Sequence, residues 1–238
     1  MKGDKFMAEI GIGYGSEYQL LRFLGHHREE VEAKIKAETR YNNKLRWLDF
    51  PYKASSLSGD GEEEGISFLE KHPAFKQIKT AWSEFWPRSG KKQNWDAILL
   101  HDDEYVLVEA KAHLEEIEST CGASPKSKEM INEAMKATRD SFGINSQNDW
   151  LEKYYQLANR LAFVKFMLDN GIKASLLYVY FINGYDKRKI GNGQVENKSV
   201  KTRKDWEVSI DTQDNYLGIQ GTIAENFISK IFVDCKKS

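Results

Sequence analysis

Two short stretches decide the fold of this chain: Asn94-Trp95-Asp96-Ala97-Ile98-Leu99-Leu100 and Tyr105-Val106-Leu107-Val108-Glu109-Ala110-Lys111. Each contains an apolar run with the length of a buried strand, and the connection between them is short enough for a hairpin. Successive side chains of a strand alternate between its faces, so Glu109 and Lys111 point the same way. A hairpin would also lay Asp96 beside Glu109. The sequence therefore predicts two carboxylates and an ammonium at one spot.

This constellation suits a hard divalent cation, because Mg²⁺ usually binds one or two carboxylates together with phosphate oxygens of a substrate. Both strands are apolar on both faces, as in central strands that are covered on both sides. Charged residues at the ends of such strands cost free energy to bury, which favours a functional role for them. The alternative is a polar strand end, with Asp96 starting a turn. If Asp96 and Glu109 face each other without a cation, the two carboxylates repel. Asp96→Ala is therefore expected to leave the fold intact or to make the metal-free protein more stable.

Asp96, followed after twelve residues by Glu109-Ala110-Lys111, resembles the signature of the PD-(D/E)XK nuclease superfamily. Trp95 stands where that family usually has a proline. The resemblance implies an α/β fold with a restriction endonuclease-like αβββαβ core, in which helices flank a mixed central sheet. An N-terminal helical extension would precede this core. The similarity covers roughly residues 60–182 and is greatest to stand-alone members of the superfamily.

The resemblance implies a metal-dependent nuclease that hydrolyses phosphodiester bonds, with DNA expected ahead of RNA as substrate. Asp96, Glu109 and the Ala110 carbonyl would hold Mg²⁺ or Mn²⁺, and Lys111 would stabilise the developing charge or position water. The alternative is a catalytically silent nuclease-fold protein that binds nucleic acid or a protein partner. A hydrolase for another phosphate substrate and a coincidental motif also stay open. The expected nuclease function is compatible with a homodimer, since nucleases that cut both strands of a duplex commonly act as dimers.

A further glutamate often reaches the metal site from the helix before the first strand of that family. Glu62 is the candidate, because it lies on the apolar stripe of a predicted helix over 62–71. Glu64 is the reserve, and Glu63 is also near. A favourable interaction of all three glutamates with the helix dipole explains them equally well.

The helix expected after Glu-x-Lys contains Gln156 and Arg160. It resembles the corresponding helix of related nucleases, where a glutamine orients the metal site or the phosphate. An exposed helix surface normally has such residues too. His113 would share the face of Glu109 and Lys111 if the strand continues, as a phosphate contact or as a structural residue.

The remaining elements follow from periodicity and turn residues. The sequence predicts a helix over 16–40 with a break near Gly25-His26-His27, strands over 78–86, 175–182 and 206–210, and helices over 149–168 and 223–232. The expected organisation is one globular domain with an N-terminal extension over 1–56, a nuclease-like core over 57–185, and a basic loop with a C-terminal strand and helix over 186–238.

Composition bounds the class of protein. The 238 residues suffice for one sizeable core, and two cysteines are too few for a disulfide framework. No apolar run reaches membrane-spanning length and no secretory leader is visible, so a cytoplasmic protein with no membrane partner is expected. The net charge of −1 argues against a non-specific DNA coat. A local basic segment over 186–204 could contact phosphates or could be a solvated loop.

Overall fold

The computed structural model describes residues 15–48, 63–90, 92–184, 187–189 and 195–236. Within these ranges the chain is an α/β protein, in which helices flank a mixed five-stranded central sheet. The predicted fold class is confirmed at this level. Among the described residues, no helix is both long enough and apolar enough to cross a membrane.

The described elements comprise helices, sheet strands and short 3-10 turns. The helices are α1 (Gly15–His26), α2 (Arg28–Glu38), α3 (Phe75–Phe85), α4 (Pro125–Phe142), α5 (Tyr155–Asp169) and α6 (Arg203–Leu217). The strands are β1 (Leu45–Trp47), β2 (Glu63–Glu64), β3 (Asn94–Trp95), β4 (Ala97–His101), β5 (Glu104–Lys111), β6 (Ala174–Ile182), β7 (Lys187–Lys189), β8 (Val195–Asn197) and β9 (Ile228–Asp234). The 3-10 turns are Ser67–Leu69, Leu114–Glu116 and Ile223–Phe227.

The central sheet has the order β1-β4-β5-β6-β9. Its first three strands are antiparallel neighbours, and β6 and β9 continue parallel to β5. The predicted hairpin is confirmed, since β4 and β5 are joined at a pair formed by His101 and Glu104. Asp102 in the turn has a φ of 54°, in the left-handed region that Asp tolerates better than most residues.

Two hydrophobic cores lie on opposite faces of the sheet. One contains Leu20 and Ile35 from α1 and α2, packed with Val106 and Val108 of β5. The other contains Leu107 together with side chains from α3, α4, α5 and α6. Alternate side chains of β5 therefore enter different cores, as the sequence predicts for a central strand covered on both faces.

The predicted strand over 78–86 is wrong, because this segment belongs to α3. Aromatic and β-branched residues favoured a strand there, but the apolar residues recur at helical spacing. Ile78, Trp82 and Phe85 form one face, and the Trp82 ring meets that of Phe166 on α5 at a centroid distance of 4.8 Å. Packing of this stripe against α5 decides for the helix.

Two predictions near the C-terminus are also wrong. The predicted strand over 206–210 lies inside α6, which begins with a capping box between Thr202 and Asp205 and buries Trp206 and Ile210 one turn apart. The predicted helix over 223–232 is a 3-10 turn followed by β9. The run from Ile228 has strand-forming residues and completes the sheet beside β6.

Of four further predicted segments, two agree with the structure, one begins later and one is replaced by other elements. The helix over 16–40 is confirmed as α1 and α2, separated at His27. The predicted helix over 62–71 is replaced, in its described part, by β2 and the turn Ser67–Leu69. The helix over 149–168 begins later, at Tyr155, and β6 matches the strand predicted over 175–182.

Candidate active site

The hairpin brings Asp96 beside the end of β5. Ala97 at the start of β4 pairs with Val108, so β5 extends past its neighbour by Glu109, Ala110 and Lys111. The Ala110 N–H donates to Asp96 Oδ2 at 2.7 Å. In a strand the N–H and C=O of one residue face the same neighbour, so the Ala110 carbonyl points to the side of Asp96 as well. The predicted proximity of these groups is therefore found.

Glu109 is the centre of a buried hydrogen-bonded cluster, with 3% of its side chain exposed. Its Oε1 accepts from Lys111 Nζ at 2.7 Å and from Gln156 Nε2 at 2.5 Å. Its Oε2 accepts from Arg160 Nε at 3.0 Å. Lys111 Nζ also donates to Gln156 Oε1 at 2.8 Å, which links the two residues to each other as well as to Glu109.

Gln156 and Arg160 lie one helical turn apart on α5 and therefore face the same way. The start of α5 is attached to the loop after β5, because the Gln156 N–H donates to Ser119 Oγ at 2.8 Å. The Arg160 guanidinium lies 4.6 Å above the Trp95 ring and donates through Nη2 to the Asn94 carbonyl at 2.6 Å. Trp95 thus supports the arginine that binds Glu109.

The charges of this cluster stabilise one another despite burial. Burial alone would raise the pKa of Glu109, but the charges and hydrogen bonds of Lys111 and Arg160 hold that pKa below its ordinary value. Burial opposes the charged form of Arg160 as well, and Glu109 keeps its pKa above the usual value. At Tyr178, burial and the nearby carboxylate of Glu109 raise the pKa of the phenol well above its ordinary value.

The predicted glutamates of the segment before α3 are only partly described. Glu62 lies outside the described residues. Glu63 accepts a hydrogen bond from Ser67, and Glu64 forms an exposed pair with Lys92 at 3.3 Å. These contacts engage Glu63 and Glu64 locally, and neither is bonded to a residue of the Glu109 cluster.

Sequence reasoning missed Glu116, which approaches the end of β5 from the turn that follows it. Glu116 Oε2 accepts the Ala112 N–H at 2.7 Å, and its Oε1 lies 3.0 Å from His113 Nε2. His113 is therefore engaged by a neighbouring carboxylate, and only 7% of its side chain is exposed. Tyr178, opposite Glu109 on β6, was also missed. The Glu116 contacts depend on the local turn Leu114–Glu116, whereas Tyr178 reaches Glu109 only through the pairing of β6 with β5.

The donor set at Asp96, Glu109 and the Ala110 carbonyl fits a hard divalent cation in kind, since all three supply oxygen. Two features of the cluster qualify this fit. Lys111, Gln156 and Arg160 already bond the two oxygens of Glu109. Among the described residues, moreover, no group of three or more His, Cys, Asp or Glu side chains is arranged to hold a metal ion. Metal binding would therefore use few protein ligands. The ion would replace some of the hydrogen-bond donors that now contact the Glu109 carboxylate.

Comparison of the chain with protein-family models, with curated proteins and with solved structures finds no significant match.

Proposed function

We propose that this protein is a metal-dependent nuclease that hydrolyses phosphodiester bonds in nucleic acid, with DNA as the expected substrate. The main support is the convergence of Asp96, Glu109 and Lys111 at the end of an antiparallel strand pair, with Gln156 and Arg160 added from α5. The order of elements adds support. The elements α2, β1, β4, β5, α5 and β6 occur in the αβββαβ order that the sequence resemblance implies, with α3 inserted between β1 and β4 and α4 inserted before α5. Of these, α2 and β1 lie before residue 57, where the core was expected to begin.

The proposed roles follow from the chemistry of each group. Asp96, Glu109 and the Ala110 carbonyl would hold Mg²⁺ or Mn²⁺. A bound ion of this kind polarises a phosphoryl oxygen and makes a coordinated water more acidic. Lys111 presents its ammonium at the same edge, where it stabilises negative charge on the phosphate. Arg160 and Gln156 fix the orientation of the Glu109 carboxylate.

Cleavage assays test this proposal directly. Single-stranded, double-stranded and branched DNA, and RNA, are incubated with the protein in Mg²⁺, in Mn²⁺ and in EDTA. We expect cleavage that stops in EDTA. Lys111→Met should lower the rate by about a hundredfold to a thousandfold, as removal of one charge-stabilising donor does elsewhere. The matched control is Lys165→Met on α5, whose ammonium pairs with Asp169 rather than with Glu109. Cleavage that persists in EDTA would refute the metal mechanism.

One observation favours the silent alternative, a nuclease-fold protein that binds nucleic acid or a protein partner without cutting. The Glu109 carboxylate is already neutralised by Arg160 at 3.0 Å and Lys111 at 2.7 Å, as in a purely structural ion cluster. Calorimetric titration with Mn²⁺ separates the two. Heat of binding that disappears in Asp96→Asn supports the nuclease, whereas no binding together with no cleavage supports the silent protein.

A homodimer belongs to the nuclease proposal, because two copies can cut both strands of a duplex. Sedimentation of the protein with and without a short DNA duplex tests it. A single monomeric species in both conditions would restrict the proposal to cleavage of one strand at a time.

A further inference from the structure

The turn after β5 returns an acidic side chain to the end of that strand. The chain leaves β5 at Lys111, and the 3-10 turn Leu114–Glu116 folds Glu116 back. Its carboxylate accepts the Ala112 N–H at 2.7 Å through Oε2, and its Oε1 contacts His113 Nε2 at 3.0 Å. Only 18% of the Glu116 side chain is exposed. Glu116 therefore bridges the two residues that directly follow Lys111.

Glu116 is also electrostatically coupled to Lys111. Burial would raise the pKa of Glu116, but the His113 hydrogen bond, the Lys111 charge and the Ala112 N–H hold it below the ordinary value. Lys111 uses two of its ammonium protons on Glu109 and Gln156. Glu116 is thus a second carboxylate that attracts the same ammonium, from an element other than β5 or α5.

We propose that Glu116 is a positioning residue for Lys111. This inference rests on the proposed nuclease function. By accepting the Ala112 N–H at 2.7 Å, Glu116 fixes the backbone directly after Lys111, and with it the point from which the Lys111 side chain leaves β5. Without this bond the backbone from which Lys111 leaves β5 is held less firmly, while the ammonium keeps its hydrogen bonds to Glu109 and Gln156. A substrate phosphate would then meet a lysine that is less well placed.

The test uses Glu116→Gln, which keeps the shape and an oxygen for the Ala112 N–H but removes the charge. Glu118→Gln is the matched control, because Glu118 lies near the same turn, is 65% exposed and pairs with Lys153. The first measurement is the ammonium signal of Lys111 in the protein labelled with ¹⁵N-lysine, without metal or nucleic acid. Its absence in Lys111→Met assigns this signal. We expect Glu116→Gln to shift it and Glu118→Gln to leave it unchanged.

The second measurement is kinetic. Glu116→Gln should lower kcat by about tenfold to a hundredfold, the range for groups that orient a site residue from behind, with KM and the melting temperature nearly unchanged. A Lys111 signal identical to that of the unaltered protein in Glu116→Gln would overturn the inference, whatever the activity. If the unaltered protein cuts no nucleic acid, the proposed function fails, while the Lys111 signal still decides whether Glu116 positions this ammonium.

Discussion

Asp96→Ala removes a carboxylate that accepts a backbone hydrogen bond, lies beside Glu109 and attracts the Arg160 guanidinium. Asp96 Oδ2 accepts the N–H of Ala110, a fully buried residue, at 2.7 Å. Asp96 also lies beside Glu109, and the sequence alone predicts that the two carboxylates repel. In the structure Glu109 is paired with Lys111 at 2.7 Å and with Arg160 at 3.0 Å, which offsets that repulsion. The loss of this hydrogen bond should therefore outweigh the relief of repulsion. We expect Asp96→Ala to be less stable than the unaltered protein, the reverse of the expectation from sequence.

The size of the effect follows from the kind of bond. A hydrogen bond to a charged group contributes about 1.5–3 kcal/mol to the free energy of unfolding. In a chain of this length each kcal/mol shifts the melting temperature by about 2–4 °C. Asp96→Ala should therefore melt about 3–12 °C below the unaltered protein in EDTA. Asp96→Asn keeps an acceptor oxygen for the Ala110 N–H, so it should lose less than about half of that stability.

Thermal unfolding followed by circular dichroism, with EDTA present, measures the melting temperature of both variants against the unaltered protein, and urea unfolding gives the free energies. The pair separates the structural role of Asp96 from its proposed ligand role, because both variants should lose metal-dependent cleavage while only the alanine variant melts much earlier. If Asp96→Ala is as stable as the unaltered protein or more so, the repulsion with Glu109 dominates. The argument from the Ala110 hydrogen bond would then be refuted.

Three further predictions concern the buried cluster. Arg160→Met leaves Glu109 buried with one partner fewer and should lower the free energy of unfolding by about 3–5 kcal/mol. Adding Glu109→Leu to this variant should restore part of that loss. A urea midpoint unchanged by Arg160→Met would contradict the prediction. The pKa of Glu109 is lowered from 4.5, so the contribution of Glu109 to the free energy of unfolding is complete above that pH and is lost as pH falls through the folded-state pKa. The stability of the unaltered protein should therefore decline more steeply below about pH 4.5 than that of Glu109→Gln. Tyr178→Phe removes a buried hydroxyl with no hydrogen-bond partner among the described residues, so its melting temperature should be unchanged or higher, and a loss above about 1 kcal/mol would reveal a bound water or ligand.

The accuracy of the sequence predictions depended on the range of the interactions involved. The β4–β5 hairpin was predictable because its two apolar runs are adjacent and its connection is short. Asp96, Glu109 and Lys111 followed from that hairpin and from the period of a strand, and both are local properties. Gln156 and Arg160 were identified from the resemblance, and their one-turn spacing on α5 accounts for their common direction. Their roles in catalysis stay predictions.

The errors arose where composition and spacing pointed to different elements. Around Trp82 and Trp206, aromatic and β-branched residues favoured strands, but their spacing matches a helix, and packing against the core decided the outcome. β9 was mistaken for a helix because its run Ile231-Phe232-Val233 is apolar on both faces of the sheet edge and so lacks the alternation that marks exposed strands. Glu116 and Tyr178 could not be foreseen, since each meets the site only through a turn or a strand register that forms on folding.

The formal charges at the site bear on the proposed function. With His113 counted as neutral, Asp96, Glu109 and Glu116 contribute three negative charges and Lys111 and Arg160 two positive ones, so these side chains have one net negative charge. A phosphodiester adds another, and two like charges at one buried edge repel. One divalent cation would balance both. This charge balance favours a phosphodiester that enters together with a metal ion, and it predicts that Ca²⁺, which substitutes for Mg²⁺ as an oxygen-bound cation, should tighten DNA binding relative to EDTA. Equal DNA affinity in Ca²⁺ and in EDTA would mean that the basic residues alone hold the nucleic acid, away from Asp96 and Glu109.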